Sequence, residues 1–344
     1  MMKKLGIGFL ILLLIGMAVA YFGYNAIWQD NINDEQLSKQ ITIPNGSNFD
    51  DVVNILTSNR SLENVSTFKQ VAKLMNYNDK AVRSGKYDIN KSWSNRALLS
   101  TLRAGLQAGV KVTFNNHRNI QETLGDIANY LEPDSVQLVS YVMNPATLVK
   151  YGYTKENILT LFIPNTYELY WNYTPEKLLD RMKMEHDRFW SQKQREAKAK
   201  KQGLTKEEVY TLASIVEKES QAAHERPIIA GLYLNRLNIK MPLQADPTVV
   251  FAVGDFGIRR VLNKHLEFDS PYNTYMYNSL PPGPIYLPSI ESIDAVLNPT
   301  KHKYIYMCAK PGYQSEHAFA RTSAEHSKNA NRYRSWLNSE GIRR

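Results

Sequence analysis

The chain is expected to fold as an α+β protein behind an N-terminal apolar helix. Three observations lead there: an uncharged apolar run at the start, a strand, helix, helix, strand order over residues 40–105, and helical segments alternating with loops through residues 106–344. With 344 residues, 43% of them hydrophobic and 22% charged, the chain can bury one sizeable core and a smaller module, which excludes a disordered chain. The net charge of +9 calls for an anionic partner: nucleic acid, anionic lipid or a wall polymer bearing carboxylates. The most basic stretch, residues 195–201, is helix-prone and lacks interleaved aromatics, so it is read as a solvated helix face and no nucleic-acid partner is expected. One cysteine, Cys308, excludes an intramolecular disulfide and a cysteine-based metal site.

The run from Leu5 to Gln29 carries no charge, and its strongly apolar part, Leu5 to Tyr24, reaches the ~20 residues a bilayer crossing requires. Lys3 and Lys4 place the preceding end in the cytoplasm, and Tyr21, Phe22, Tyr24 and Trp28 fit the far interface. Residues 1–29 are therefore expected to be a single-pass anchor in the cytoplasmic (inner) membrane with a short cytoplasmic end. Ala18, Val19 and Ala20 also fit a signal-peptide cleavage site, but apolar character continues beyond them. Anchor and signal peptide alike export the chain after residue 30. Residues 30–39 are polar and read as a linker.

Residues 40–46 alternate like a strand ending in a turn, and Ser47 or Asn48 can cap a helix carrying Phe49, Val52, Val53, Ile55 and Leu56. Phe68, Val71, Ala72, Leu74 and Met75 mark a second helix, and residues 85–89 a second strand. Across 40–105 this order resembles a LysM-like βααβ module, a fold that elsewhere holds N-acetylglucosamine polymers; a spacer domain has the same pattern. Thr42 to Val53 can also be laid over Thr113 to Leu124, pairing Asn48 with Asn119, so a second strand and capped helix are expected to open the main domain.

Thr205 and Glu208 form a capping box that starts a helix running through Ser220. At 3.6 residues per turn Glu219 shares a face with Leu212, Ile215 and Val216. Glu217 is turned away by about 200° and is expected to face water. A carboxyl among aliphatic side chains holds its proton toward neutral pH, as a general acid must. A buried ion pair between Glu219 and Arg226 satisfies the same periodicity.

Residues 213–220 (Ala-Ser-Ile-Val-Glu-Lys-Glu-Ser), Glu225-Arg226, 233–237 (Tyr-Leu-Asn-Arg-Leu), 243–249 (Leu-Gln-Ala-Asp-Pro-Thr-Val), 270–275 (Ser-Pro-Tyr-Asn-Thr-Tyr), 280–285 (Leu-Pro-Pro-Gly-Pro-Ile) and His317-Ala-Phe319 together resemble the endolytic murein transglycosylase, or YceG-like, family. The resemblance covers the chain from the apolar span to the C-terminal block. It departs at Ser279, at Glu316 and at Asn116-His117, all in turns. It implies a mixed α/β catalytic domain over 106–344 and a lytic transglycosylase acting on peptidoglycan strands, without cofactor or metal. The second glutamate of Glu-Lys-Glu, here Glu219, is the implied catalytic residue. It would cleave between N-acetylmuramic acid and N-acetylglucosamine to leave a 1,6-anhydro end, terminating nascent strands, with wall-synthesis proteins as further partners.

The candidate substrate-binding residues are Gln244, Asp246, Thr248, Tyr272, Asn273, Tyr275, Pro282, Gly283, His317 and Phe319. Each also has an ordinary reading as packing or turn chemistry. His302, His317 and His326 match no helical metal-ligand spacing. The competing functions are a non-catalytic peptidoglycan-binding scaffold and a lysozyme-like hydrolase, in which Asp246 or Glu225 would activate water.

Overall fold

A computed structural model describes residues 2–33, 35–312 and 316–341; the remaining positions of the expected anchor, linker and catalytic segments lie outside the described residues. The chain forms two compact units. One comprises the residues up to Val112 with Tyr130–Pro133 and Tyr167–Thr174, the other Thr113–Asn129, Asp134–Thr166 and the chain from Pro175 on.

The first unit begins with helix α1 (Met2–Trp28), exposed from Gly6 to Tyr24. Its segment Gly6–Trp28, with a mean hydropathy of 2.3, is among the described residues the one helix long and apolar enough to cross a membrane, a test that a signal sequence also passes. There follow β1 (Gln40–Ile43), α2 (Phe49–Ser58), α3 (Val65–Leu74), β2 (Gly85–Asp88) and α4 (Asn95–Ala104). β1 and β2 pair antiparallel, with Gln40 opposite Asp88 and Ile43 opposite Gly85. Alternation buries Ile41, Ile43 and Tyr87 against Val52, Leu56 and Phe68 of the two helices. Asn48 and Asn64 cap α2 and α3 by accepting from the amides of Asp51 and Thr67. α4 adds to the expected four-element order and contributes Leu98, Leu99 and Leu102 to the same core.

The segment after α1 is tied into this unit. Asp30 bridges to Ser94 and Ile32 to Leu62. Buried Asn31 donates to Asn95 Oδ1 at 2.7 Å and to Asn64 O at 3.0 Å. Asn95 in turn donates to Ala26 O at 2.9 Å, Ala26 and Ile27 pack on the core, and the Arg96 guanidinium lies 4.4 Å from the Trp28 ring centroid. The last turn of the apolar helix is therefore part of a folded core.

β3 (Gly109–Phe114) pairs with β4 (Asn165–Tyr170), between which lie α5 (Ile120–Ala128), α6 (Ser135–Val142) and α7 (Pro145–Tyr151). Asn119 caps α5 through the Glu122 amide, as Asn48 caps α2. The turns before the two caps differ: the left-handed residue is Gly46 (φ 83°), two before its cap, in one and Asn116 (φ 58°), three before its cap, in the other.

The second unit continues with α8 (Pro175–Ser191), α9 (Arg195–Lys201), α10 (Lys206–Glu219), α11 (Arg226–Asn238), α12 (Asp246–Val253), α13 (Asn263–Leu266) and α14 (Ile290–Leu297), then the antiparallel pair β5 (Tyr306–Ala309) and β6 (His317–Ala320), and α15 (Ser323–Ser339). The basic α9 is not solvated throughout: Arg195 is buried and grips Asp294 with Nε and Nη2 at 2.8 and 3.1 Å.

α10 starts at the Thr205–Glu208 capping box and packs against α9, α11, α12 and α14. Every residue from Val209 to Val216 is buried, so the helix has no water-facing side along that length. Ala213 and Ser214, on the side expected to be polar, are small enough to be covered by neighbours. Ser214 Oγ donates to Thr211 O at 2.6 Å and accepts the Ile285 amide at 3.0 Å. The expectation that Glu217 faces water is overturned for this reason: its carboxylate takes Arg226 Nη2 at 3.1 Å, Ser289 Oγ at 2.6 Å and a short bond from Ser292 Oγ. Arg226 consequently pairs with Glu217, which also replaces the Glu219–Arg226 reading.

Candidate active site

α10 ends at Glu219 because Ser220 turns extended (φ −136°, ψ 133°), which leaves the Glu219 carboxyl at the negative end of the helix dipole. Glu219 Oε2 is enclosed and has no hydrogen-bond partner among the described residues, while the residue as a whole is half-buried. Burial pushes the carboxyl up from 4.5 to about 7; the Tyr233 hydroxyl and His317 pull it down, Asp246 adds to the rise, and Arg236 lowers it. Tyr233 is itself buried and held well above the usual tyrosine range, so its hydroxyl stays protonated as a donor beside the acid. That contact is looser than a formed hydrogen bond, since the Tyr233 hydroxyl, like Oε2, has no partner at bonding distance among the described residues.

Tyr233 and Arg236 come from one face of α11, three residues apart. Arg236 donates to Ile305 O at 2.6 Å and Leu243 O at 2.7 Å, fixing the segment that leads into Gln244 and Asp246. This pair was legible only as an i, i+3 spacing within the Tyr-Leu-Asn-Arg motif. Its role depends on where the chain returns some seventy residues later.

Glu225 is the other residue whose part the sequence concealed. It is buried, and its carboxylate receives the His317 amide at 2.8 Å on Oε1, and His317 Nδ1 at 2.8 Å and Ser220 Oγ at 3.1 Å on Oε2. A carboxylate so engaged accepts, so Nδ1 carries the histidine proton and Nε2 is the open position of the ring. Glu225 thus orients His317, and its oxygens are committed to protein donors.

Asp246 Oδ1 accepts the Tyr275 hydroxyl at 2.6 Å, which brings Asp246, Tyr275 and Glu219 into one electrostatic neighbourhood with His317. Gln244 is exposed on left-handed backbone (φ 49°), pinned by its amide to Thr274 O at 2.9 Å. Thr248 is buried, donating to Ala245 O at 2.7 Å and meeting Thr274 Oγ1 at 2.8 Å. Buried Asn273 donates to Leu266 O and Phe268 O at 2.9 and 2.8 Å. These two side chains hold loops in place. Half-buried Tyr272 lies 4.8 Å from the Phe251 ring. Pro282 is exposed; Gly283 is buried where a Cβ would stand 1.9 Å from Glu156 O, so close backbone approach requires glycine. Phe319 stacks on Tyr304 at 5.7 Å and lies 6.3 Å from the His317 ring. His302 bonds Ile228 O and His326 stacks on Tyr306, each apart from His317 in its contacts.

The profile of the YceG-like family matches residues 41–332. The chain is 29% identical over 360 residues to an endolytic murein transglycosylase of Streptococcus pneumoniae strain D39, covering 95% of this chain and 64% of that protein. It is 29% identical over 316 residues to an endolytic murein transglycosylase of Bacillus subtilis strain 168, covering 87% of this chain and 86% of the relative. A crystal structure of a YceG-like protein from Listeria monocytogenes superposes with a TM-score of 0.54 at 27% identity, covering 84% of this chain and 97% of the other. The chain thus spans a little under two thirds of the length of the pneumococcal relative.

Proposed function

The chain belongs to the YceG-like family, and from that we propose that it is an endolytic lytic transglycosylase that cleaves peptidoglycan with Glu219 as its acid. The observation that carries this reading is the half-buried Glu219 carboxyl, whose Oε2 is enclosed and unpaired among the described residues and which is shifted to about 7. A carboxylic acid at that value delivers a proton near neutral pH.

Glu219 protonates the glycosidic oxygen leaving C1 of N-acetylmuramic acid. As that bond breaks, the 6-hydroxyl of the same sugar closes on C1 and passes its proton to the Glu219 carboxylate. The acid is regenerated, a 1,6-anhydro end forms and no water is consumed. An intramolecular hydroxyl has a high effective molarity, so one carboxyl suffices. Of the two alternative bases for a hydrolase, Glu225 has both oxygens taken up by Ser220 and His317, while Asp246 has one oxygen held by Tyr275. The Tyr233 hydroxyl, and the His317 ring when Nε2 is protonated, stabilise negative charge on Glu219 after proton transfer.

In the same proposal α1 is a single-pass anchor holding the site outside the cytoplasm, the β1-α2-α3-β2 part is a LysM-like glycan-binding module, and the product ends nascent strands beside wall-synthesis proteins. The antiparallel β1–β2 pair enclosing two helices supports the module assignment.

Mass spectrometry of uncrosslinked peptidoglycan strands after incubation with the protein tests the proposal. The expected fragments end in 1,6-anhydro-N-acetylmuramic acid and arise within strands. Reducing ends labelled from isotopic water would establish a hydrolase instead, and strands bound but uncut would establish a scaffold.

A further inference from the structure

Beside the acid lies a cleft of about 510 Å³ to which none of the expected site residues except Asp246 contributes. Four cations line it, Arg118, Lys218, Arg259 and Arg260, against the single carboxylate of Asp246. Among the described residues none of the four side chains is in an ion pair. Two are instead held on aromatic rings: Arg118 stands 4.4 Å from the Phe256 centroid and Lys218 4.5 Å from that of Tyr286. Arg259 and Arg260 are exposed, so their guanidinium forks are free for a carboxylate. The remaining wall is apolar, from Val250, Phe251, Ile258 and Ile285.

The cleft adjoins the chemistry through two positions: Lys218 directly precedes Glu219, and Asp246 belongs to both places. An anion bound here is therefore carried by a sugar at or next to the bond being cut. In a peptidoglycan strand the anionic substituent of that sugar is the peptide joined through the lactyl ether of N-acetylmuramic acid, which bears carboxylates and short alkyl side chains. Anions at a strand's far end lie several sugars away from an internal cut. We infer that the cleft is a subsite for the strand's peptide substituents, with Arg259 and Arg260 taking their carboxylates and the Phe251 and Phe256 wall taking their alkyl groups. This rests on the transglycosylase reading and specifies its substrate as peptide-bearing strands.

The test uses the full chain carrying Glu219→Gln, which binds without turnover, and two ligands: uncrosslinked strands with their peptides, and the same strands stripped of peptides by an amidase, with the lactyl carboxylates that this hydrolysis leaves then converted to neutral amides. The peptide-bearing strands are expected to bind about tenfold or more tighter, the effect of one or two charge-assisted contacts. Adding Arg259→Ala and Arg260→Ala is expected to bring their affinity down to that of stripped strands, and Arg259→Lys with Arg260→Lys to retain part of the preference. Equal affinity for both ligands, or a preference that survives the double alanine change, overturns the subsite. Cleavage assays on the unaltered chain separate this failure from that of the parent reading. Equal cutting of both ligands to anhydro ends removes the subsite alone, whereas cutting of neither removes both.

Discussion

Arg226 Nη2 lies 3.1 Å from Glu217 Oε1, and this pairing leaves Glu219, two residues further along the same helix, with an enclosed oxygen that no group among the described residues bonds. One acidic residue is bonded by an arginine and two serines, while burial raises the proton affinity of the other.

The two glutamates should respond oppositely to removal of their charge. Glu219→Gln is expected to lower the rate of strand cleavage by at least ~10²–10⁴-fold, as for loss of a general acid, while the thermal midpoint holds or rises. Glu217→Gln leaves Arg226 without its anion and should cost about 1–3 kcal/mol of stability, with cleavage by the folded fraction retained. Thermal melts and product mass spectrometry on both variants check this. A melt of Glu217→Gln superposing on the parent would contradict the structural role.

Cleavage should fall as pH rises through about 7, because the acid form of Glu219 is the active one. The stability effect has the same direction. With a folded value of about 7 against 4.5, the native state binds more protons than the unfolded state between those values, so Glu219 makes stability decline with rising pH across that window. Denaturant unfolding at pH 4.5, 6 and 8 should show that decline in the parent and a shallower one in Glu219→Gln.

Glu225→Gln should impair catalysis without abolishing it. The amide can offer Nδ1 of His317 a donor where an acceptor is required, disturbing tautomer and ring position. A loss of up to about 10²-fold in kcat is expected, as for misplacement near a reacting centre. The affected pH profile distinguishes this role from packing: its midpoint should move in Glu225→Gln, because His317 acts on Glu219.

A protein beginning at Gly23 should be more stable than one beginning at Asp30. The longer form keeps Ala26 and Ile27 on the core, the Asn95 bond to Ala26 O and the Arg96–Trp28 contact. The difference should be on the order of 1–3 kcal/mol, from one part-buried hydrogen bond and two partly buried side chains. Urea unfolding of the two forms measures it, and equal midpoints would mean that the end of α1 contributes nothing to the first unit.

What the sequence by itself determined was local: the alternation of β1, the Asn48, Asn119 and Thr205 caps, the apolar length of α1 and the termination of α10 around Glu219. Each of these depends on hydrogen bonds or periodicity within a few residues, which a linear pattern displays. Burial of Glu217 did not show, because small residues such as Ala213 and Ser214 look polar or neutral in a periodic reading yet are the ones that admit a neighbouring helix. The joining of Glu225 to His317 spans 92 positions, and the bonds of Glu217 to Ser289 and Ser292 span 72 and 75. The tertiary structure alone decided which glutamate is paired and which has its proton affinity raised, because a carboxyl's charge state depends on the groups and solvent around it, and those are supplied by segments distant in the chain.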